Sequence, residues 1–203
     1  RSSWASAFVS NYIDKKGVLN AFEEHVVECK RKYTTGDFKS PYIAILQSSG
    51  YGKSRLVNEF GQKHFLFYLT FGTKDSYPKR GILESTLLQS WNEYRKLSEI
   101  QESAIQFMKI CIYFLQNKRK ENRSLDPEEW NMIFRKEETR KQIADIFNNW
   151  RKNNNPINVE NEDNLKVFFA FDEARTLLCE NNIQDIDTNY FRVLGKAFDQ
   201  TKK

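Results

Sequence analysis

The sequence is poor in cysteine and histidine, which limits the cross-links and metal sites that the chain can form. It holds 3 cysteines and 2 histidines among its 203 residues. Cys29, Cys111 and Cys179 lie far apart, and because no CxxC or CxxH pair occurs, no structural zinc site is expected. An odd number of scattered thiols is more typical of small buried side chains in a reducing, intracellular compartment than of a disulfide framework.

Long apolar runs and a strong excess of one charge are also missing. No run approaches the roughly 20 apolar residues that a membrane-spanning helix needs, so no membrane partner is predicted. The 32 basic and 27 acidic residues leave a net charge of +5, which is too mild to indicate a nucleic-acid partner by itself. The aromatic content of 14% excludes a disordered chain, and the length fits one domain.

Helical and strand-like stretches alternate along the chain. Three short apolar runs have the composition of buried parallel strands, namely residues 42–46, 64–70 and 166–171. Helical spacing of apolar residues starts at Val18 before the first run, and a second helix is predicted from Lys53 to about Gln62 after it. This order predicts an α/β fold, in which a parallel sheet is flanked by helices.

A long helical block separates the second and third apolar runs. Residues 82–120 contain neither proline nor glycine, and Asp126 before Pro127 is typical of a helix start that continues to Trp150. We interpret residues 82–152 as a helical insertion and the Asn-rich residues 153–164 as a flexible linker. The chain is then a single domain, residues 1–203. Because it starts with Arg1, we expect it to be cut from a longer protein. A truncation at its C-terminal side is also expected, because a further strand should follow the third apolar run.

A phosphate-binding loop is predicted where the first apolar run ends. Residues 47–54 read QSSGYGKS, which matches G-x-x-x-x-G-K-[ST] except that Gln47 replaces the first glycine. Glycines let successive backbone N–H groups point inward at a phosphate, and the start of the following helix adds its dipole. The lysine brings charge to the β- and γ-phosphates, and the serine hydroxyl is a ligand for Mg²⁺.

The predicted cofactors are therefore ATP and Mg²⁺. ATP is favoured over GTP because the chain has no guanine-reading Asn-Lys-x-Asp motif. The predicted nucleotide-binding residues are Ser49, Gly50, Tyr51, Gly52, Lys53, Ser54 and Arg55.

The third apolar run ends in two adjacent acids, Asp172 and Glu173. In P-loop enzymes the first acid accepts a hydrogen bond from the loop hydroxyl or from a Mg²⁺-bound water, so Ser54 and Asp172 are predicted to hold the metal. Glu173 is predicted to orient and deprotonate the water that attacks the γ-phosphate. Taken alone, two acids at a helix start often only complement the helix dipole.

Lys53 and Arg175 are predicted to act beside Glu173 in catalysis. Arg175 is the best placed of four arginines considered for phosphate or trans contacts, because it follows Glu173 by two positions; the others are Arg55, Arg80 and Arg192. For each of the four, a solvated surface arginine is the simpler interpretation.

These motifs and their flanks resemble the phosphate loop and second motif of Crinkler-type effectors and the related retrotransposon-hot-spot NTPases. The similar segments are residues 45–56, 76–78, 169–178 and 190–194. The resemblance implies an AAA-like P-loop ATPase fold with an additional catalytic Glu. It also implies a secreted fungal or oomycete effector that acts inside host cells, often in nuclei, and some members carry a nuclease-like domain that acts on DNA.

Three other functions stay open on the sequence. The polar sensor strand expected after the Asp-Glu pair is missing, which favours a nucleotide-dependent binding or self-association module without turnover. The basic residues 118–120 with Arg123 would fit a second alternative, a nucleic-acid-binding module, although short basic runs are usually solvated helix ends. A small-molecule kinase with residues 82–152 as a lid is disfavoured, because kinases avoid a water-activating acid such as Glu173.

Overall fold

The structure, a computed structural model, describes most of the middle of the chain and less of its ends. The described residues are 14, 16–37, 43, 45, 52–72, 80–94, 96–155, 157–160 and 165–173. Within them the chain forms six helices and two strands: α1 (Val18–Thr35), α2 (Lys53–Lys63), β1 (Phe65–Thr70), α3 (Ile82–Glu93), α4 (Leu97–Glu121), α5 (Pro127–Arg135), α6 (Glu137–Asn153) and β2 (Val167–Asp172).

Strands β1 and β2 pair in parallel, as the two apolar runs predict. The register runs from Phe65 opposite Val167 to Thr70 opposite Asp172. The partners Phe67 and Phe169 stack with ring centroids 5.0 Å apart, a cross-strand contact that stabilises this register. Of the predicted strand at residues 42–46 only Ile43 and Ile45 are described, and neither lies in a strand. The larger P-loop sheet therefore stays a prediction.

Side chains of the predicted insertion cover the edge of β1 that faces away from β2. The indole Nε1 of Trp130 donates to the Leu66 carbonyl at 3.2 Å, and Nη2 of Arg140 donates to the Tyr68 carbonyl at 2.5 Å. The Thr70 N–H donates to Oε1 of Glu84 at 3.0 Å. An open strand edge would expose these backbone groups, so helices α3, α5 and α6 replace a further strand here.

Glu84 and Arg140 form an ion pair at the centre of this contact. Their Oε1 and Nη1 atoms lie 2.6 Å apart, and the Glu84 side chain is fully buried, with 0% of its surface exposed. The guanidinium also lies 4.8 Å from the Phe134 ring centroid and donates from Nε to the Phe134 carbonyl. A Cβ on Gly81 would come within 2.9 Å of Glu84 Oε2, so glycine leaves the pair its space.

The main core lies between β1 and the insertion. Phe67 is fully buried and meets the rings of Trp130 and Phe134 edge-on, with centroids 5.2 and 5.0 Å away. Phe107 and Phe147 continue this core between α4 and α6. The insertion thus shares one hydrophobic core with the strands rather than forming a separate layer.

Two helical regions of the sequence are each divided into two helices, and the prediction of one continuous helix from Pro127 to Trp150 was wrong. The stretch from Ile82 to about Lys120 breaks between α3 and α4, where Tyr94 and Lys96 have extended backbone angles. The helix predicted from Pro127 to Trp150 breaks at Lys136, which has φ −66° and ψ 133°. Apolar spacing continues across both breaks because the flanking helices bury their faces in the same core.

The structure also describes the predicted start of α5 and part of the predicted linker. Asp126 caps α5 by accepting the Glu129 N–H at 2.8 Å, and Pro127 occupies the first turn, as predicted. In the linker, the described residues 157–160 contact α4: Gln116 donates to the Glu160 carbonyl at 2.7 Å and accepts its N–H at 3.2 Å. The flexibility of residues 153–164 as a whole stays a prediction.

Replacing Arg140 by alanine is expected to lower the free energy of unfolding by roughly 3–5 kcal/mol, because it leaves the Glu84 charge buried and unpaired. Urea unfolding followed by circular dichroism measures the change. Lys141→Ala, an exposed position in the same helix, is the control and should stay within about 0.5 kcal/mol of the unmodified protein. Equal stabilities for the two variants would contradict the role assigned to the ion pair.

Candidate functional site

Helix α2 begins within the sequence QSSGYGKS that predicts a phosphate-binding loop. Its first residue is Lys53, and the preceding Gly52 has φ 81° and ψ 17°, a left-handed conformation that favours glycine. No acidic side chain lies in the described first turn of α2. The backbone N–H groups and the dipole at this helix start favour an anion, and no acidic side chain of the same turn opposes one.

Ser54, in that first turn, contacts Asp172 at the end of β2. The Ser54 hydroxyl donates to Oδ2 of Asp172 at 2.6 Å, and both side chains are partly buried. The two residues are 118 positions apart, so the contact comes from the fold and not from local geometry. It is the hydrogen bond that the two sequence motifs predict.

The Asp172 carboxylate accepts hydrogen bonds at both of its oxygens. Oδ2 accepts from the Ser54 hydroxyl and also from the Tyr68 hydroxyl, while Oδ1 accepts the Glu173 N–H at 2.9 Å. A carboxylate offers about four lone-pair positions, so these donors fill most of them. The carboxylate is held in one orientation, and its remaining acceptor capacity suits a single further donor such as a water.

Tyr68 is a site residue that sequence analysis missed. It lies in β1 opposite Ala170, on the same face as Thr70 and Asp172, because alternate residues of a strand share a face. Burial, followed by the neighbouring Asp172 carboxylate, raises the pKa of the Tyr68 phenol above its usual value. The hydroxyl therefore stays protonated and donates. Its only sequence signal is a polar tip within an otherwise apolar run.

Glu173 turns the chain where β2 ends. Its φ is 51°, a left-handed value that is uncommon for a residue with a long side chain, and the residue is exposed. Its N–H donates to Oδ1 of the preceding Asp172. Such backbone strain is often found at functional sites, where the surrounding structure maintains it.

The remaining predicted site residues divide into described and undescribed positions. Arg55 is directed along α2, where its Nε lies 2.7 Å from Oε1 of Glu59, and its contact with phosphate stays a prediction. Arg80 donates from Nη2 to the Phe71 carbonyl at 2.8 Å, close to the end of β1. The positions that lie outside the described residues are Gln47, Ser49, Gly50, Tyr51, Arg175 and Arg192.

The basic cluster of α4 is largely engaged with other groups of the chain. Lys118 pairs with Glu121 at 2.7 Å, and Lys120 pairs with Glu160 at 2.5 Å. The Arg119 guanidinium lies 5.6 Å from the Phe65 ring centroid. Ion pairing of this kind lowers the positive potential that a nucleic-acid backbone would meet, and so gives the nucleic-acid alternative no support.

Two further expectations concern thiols and membranes. Cys111 is fully buried, and burial raises the pKa of its thiol, as befits a small apolar side chain in the core. Cys29 is also a free thiol, and Cys179 lies outside the described residues. Among the helices that the structure describes, none has the length and apolar character needed to cross a membrane.

Comparison with known proteins identifies a family but not an activity. The chain belongs to the family described as "Domain of unknown function (DUF8735)", whose model matches residues 14–203. That match covers both motifs, residues 47–54 and the Asp172–Glu173 pair. No curated protein and no solved structure matches the chain significantly. Its function must therefore be argued from the chemistry of the site.

The left-handed backbone of Glu173 makes a testable demand on the residue type. Glu173→Asn is expected to leave the free energy of unfolding unchanged or slightly higher, because asparagine tolerates this conformation. Glu173→Val is expected to lower it by roughly 1–2 kcal/mol, because a β-branched side chain clashes there. Chemical denaturation of both variants measures the difference. A valine variant as stable as the asparagine variant would contradict the described backbone.

Proposed function

We propose that this protein binds ATP with Mg²⁺ at the start of α2 and hydrolyses its γ-phosphate. One observation carries the proposal: Ser54, in a sequence that matches a phosphate loop, donates to Asp172 at 2.6 Å across 118 positions of the chain. A chance Gly-Ser turn, or a pair of acids that only complements a helix, gives no reason for this contact. A shared Mg²⁺-nucleotide site does, because such sites join the loop hydroxyl to an acid at a strand end.

The oxygen donors at this position fit Mg²⁺. The metal prefers hard oxygen ligands, keeps several waters, and is commonly held by one or two carboxylates with substrate phosphates. The Ser54 hydroxyl would be a direct ligand, and Asp172, whose oxygens already accept three donors, would accept from a metal-bound water. When bound, Mg²⁺ neutralises charge on the β- and γ-phosphates.

The chain's own residues have separable roles in this proposal. Lys53 and the N–H groups of the first turn of α2 bind the phosphates. Glu173 accepts a proton from the attacking water as its oxygen bonds to the γ-phosphorus and the bond to the β–γ bridging oxygen breaks. Released products are ADP and inorganic phosphate. Arg175 and the loop residues Ser49, Gly50 and Tyr51 are proposed on the sequence pattern alone.

Two variants separate binding from turnover. Lys53→Ala is expected to weaken Mg²⁺-ATP binding at least tenfold in calorimetric titration, because a charge-assisted phosphate contact is lost. Glu173→Gln is expected to keep the affinity and to lower phosphate release by about 10²–10⁴-fold, the usual contribution of a general base.

Lys63→Ala is the matched control, because Lys63 is exposed at the other end of α2. It should bind and hydrolyse ATP like the unmodified protein. Equal affinity and equal phosphate release in the unmodified protein and all three variants would contradict the proposal.

A second candidate is a nucleotide-dependent binding or self-association module without turnover. The observation in its favour is the exposed position of Glu173, since a general base must be held within reach of the water it activates. This candidate gives ATP binding without phosphate release above background, and an ATP-dependent change of mass in light scattering. The further step to a Crinkler-type effector that enters host cells and acts on DNA is proposed on the sequence resemblance alone.

A further inference from the structure

We propose that Tyr68 is a positioning residue of the nucleotide site. Its hydroxyl holds the Asp172 carboxylate so that Oδ2 keeps facing the Ser54 hydroxyl, and it thereby strengthens the binding of Mg²⁺ with the nucleotide. The inference rests on the proposed Mg²⁺-ATP site and adds a residue that neither sequence motif contains.

Two side chains from different elements hold the Asp172 carboxylate. Tyr68 and Ser54 donate to the same oxygen, Oδ2, from different elements, β1 and α2. The carboxylate of an aspartate rotates easily about its last torsion, so one bond from Ser54 alone would leave its orientation poorly fixed. The Tyr68 hydroxyl and the Glu173 N–H at Oδ1 together fix the plane of the group.

Groups on both sides of β1 hold Tyr68 in place. Its backbone carbonyl accepts from Nη2 of Arg140 at 2.5 Å, and its strand pairs with β2 on the other side. The residue opposite is Ala170, whose small side chain leaves space on the face that Tyr68 shares with Asp172. Arg140 and β2 therefore fix the backbone at Tyr68, and this backbone position places the phenol hydroxyl next to Asp172.

The chemistry of the Tyr68 hydroxyl also favours a contact with the Asp172 carboxylate. A half-buried tyrosine needs a partner for its O–H, and a carboxylate gives a charge-assisted hydrogen bond that is stronger than one between neutral groups. Asp172 orients the Ser54 hydroxyl, and partners that orient the ligands of a metal commonly contribute 10–100-fold to metal affinity, so a residue that fixes Asp172 is expected to act at the lower end of that range.

The decisive test compares ATP affinity with excess Mg²⁺ and with EDTA, by calorimetric titration of the full chain. Tyr68→Phe keeps the ring and removes only the hydroxyl. It is expected to reduce the gain in affinity that Mg²⁺ gives by about tenfold, while the affinity in EDTA changes less than about twofold. Tyr113→Phe, on α4, is the matched control and should leave both affinities unchanged.

Asp172→Asn places the effect at the proposed contact. In the Asp172→Asn background, Tyr68→Phe should have no further effect on the gain from Mg²⁺. A second readout uses neither metal nor nucleotide: the shifts in urea midpoint caused by the two substitutions should be clearly non-additive, because Tyr68→Phe removes the hydrogen bond and Asp172→Asn removes the charge that strengthens the same bond. Additive shifts would contradict the contact itself.

The outcomes distinguish this inference from the proposed function. If the unmodified protein binds ATP better with Mg²⁺ and Tyr68→Phe shows the same gain, the positioning role is wrong and the nucleotide site stands. If Tyr68→Phe lowers both affinities equally, Tyr68 acts only through stability, which also overturns the inference. If the unmodified protein binds no ATP in either condition, both proposals fail.

Discussion

Asp172 is the point where the elements of the candidate site meet. Its carboxylate accepts from Ser54 on α2, from Tyr68 on β1 and from the N–H of Glu173 in the turn that follows β2. The contacts with Ser54 and Tyr68 depend on the parallel register that sets Asp172 opposite Thr70. A slip of one residue would move the carboxylate to the other face of the sheet, and α2 would lose the Ser54 hydrogen bond to β2.

The insertion supports this register from the far side of β1. Trp130, Glu84 and Arg140 satisfy backbone groups along the outer edge of the strand, which otherwise would face solvent or a further strand. Residues of the insertion thus hold in place the strand that carries Tyr68. A lid that opens over an acceptor, as in the kinase alternative, would have to move without disturbing the buried Glu84–Arg140 pair.

Sequence patterns predicted the parts of this structure that burial and turn chemistry control. The strands near residues 64–70 and 166–171, the start of α2 at Lys53 and the meeting of Ser54 with Asp172 follow from apolar runs and from two spaced motifs. The role of Tyr68, the break between α3 and α4 and the break at Lys136 do not follow from these patterns. Apolar spacing shows which residues are buried, but it does not show where the chain changes direction. Bonds from side chains to a strand edge, such as that of Trp130, leave no sequence pattern at all.

The central claim is that Mg²⁺-ATP binds where α2 begins, beside the end of β2. Hydrogen–deuterium exchange of the full chain, with and without Mg²⁺-ATP, tests it most directly, because bound phosphate slows exchange of the amides it contacts. We expect slower exchange in peptides that cover residues 52–56 and in those that cover residues 172–173, with little change in residues 118–123. Unchanged exchange in both segments at saturating Mg²⁺-ATP would contradict it.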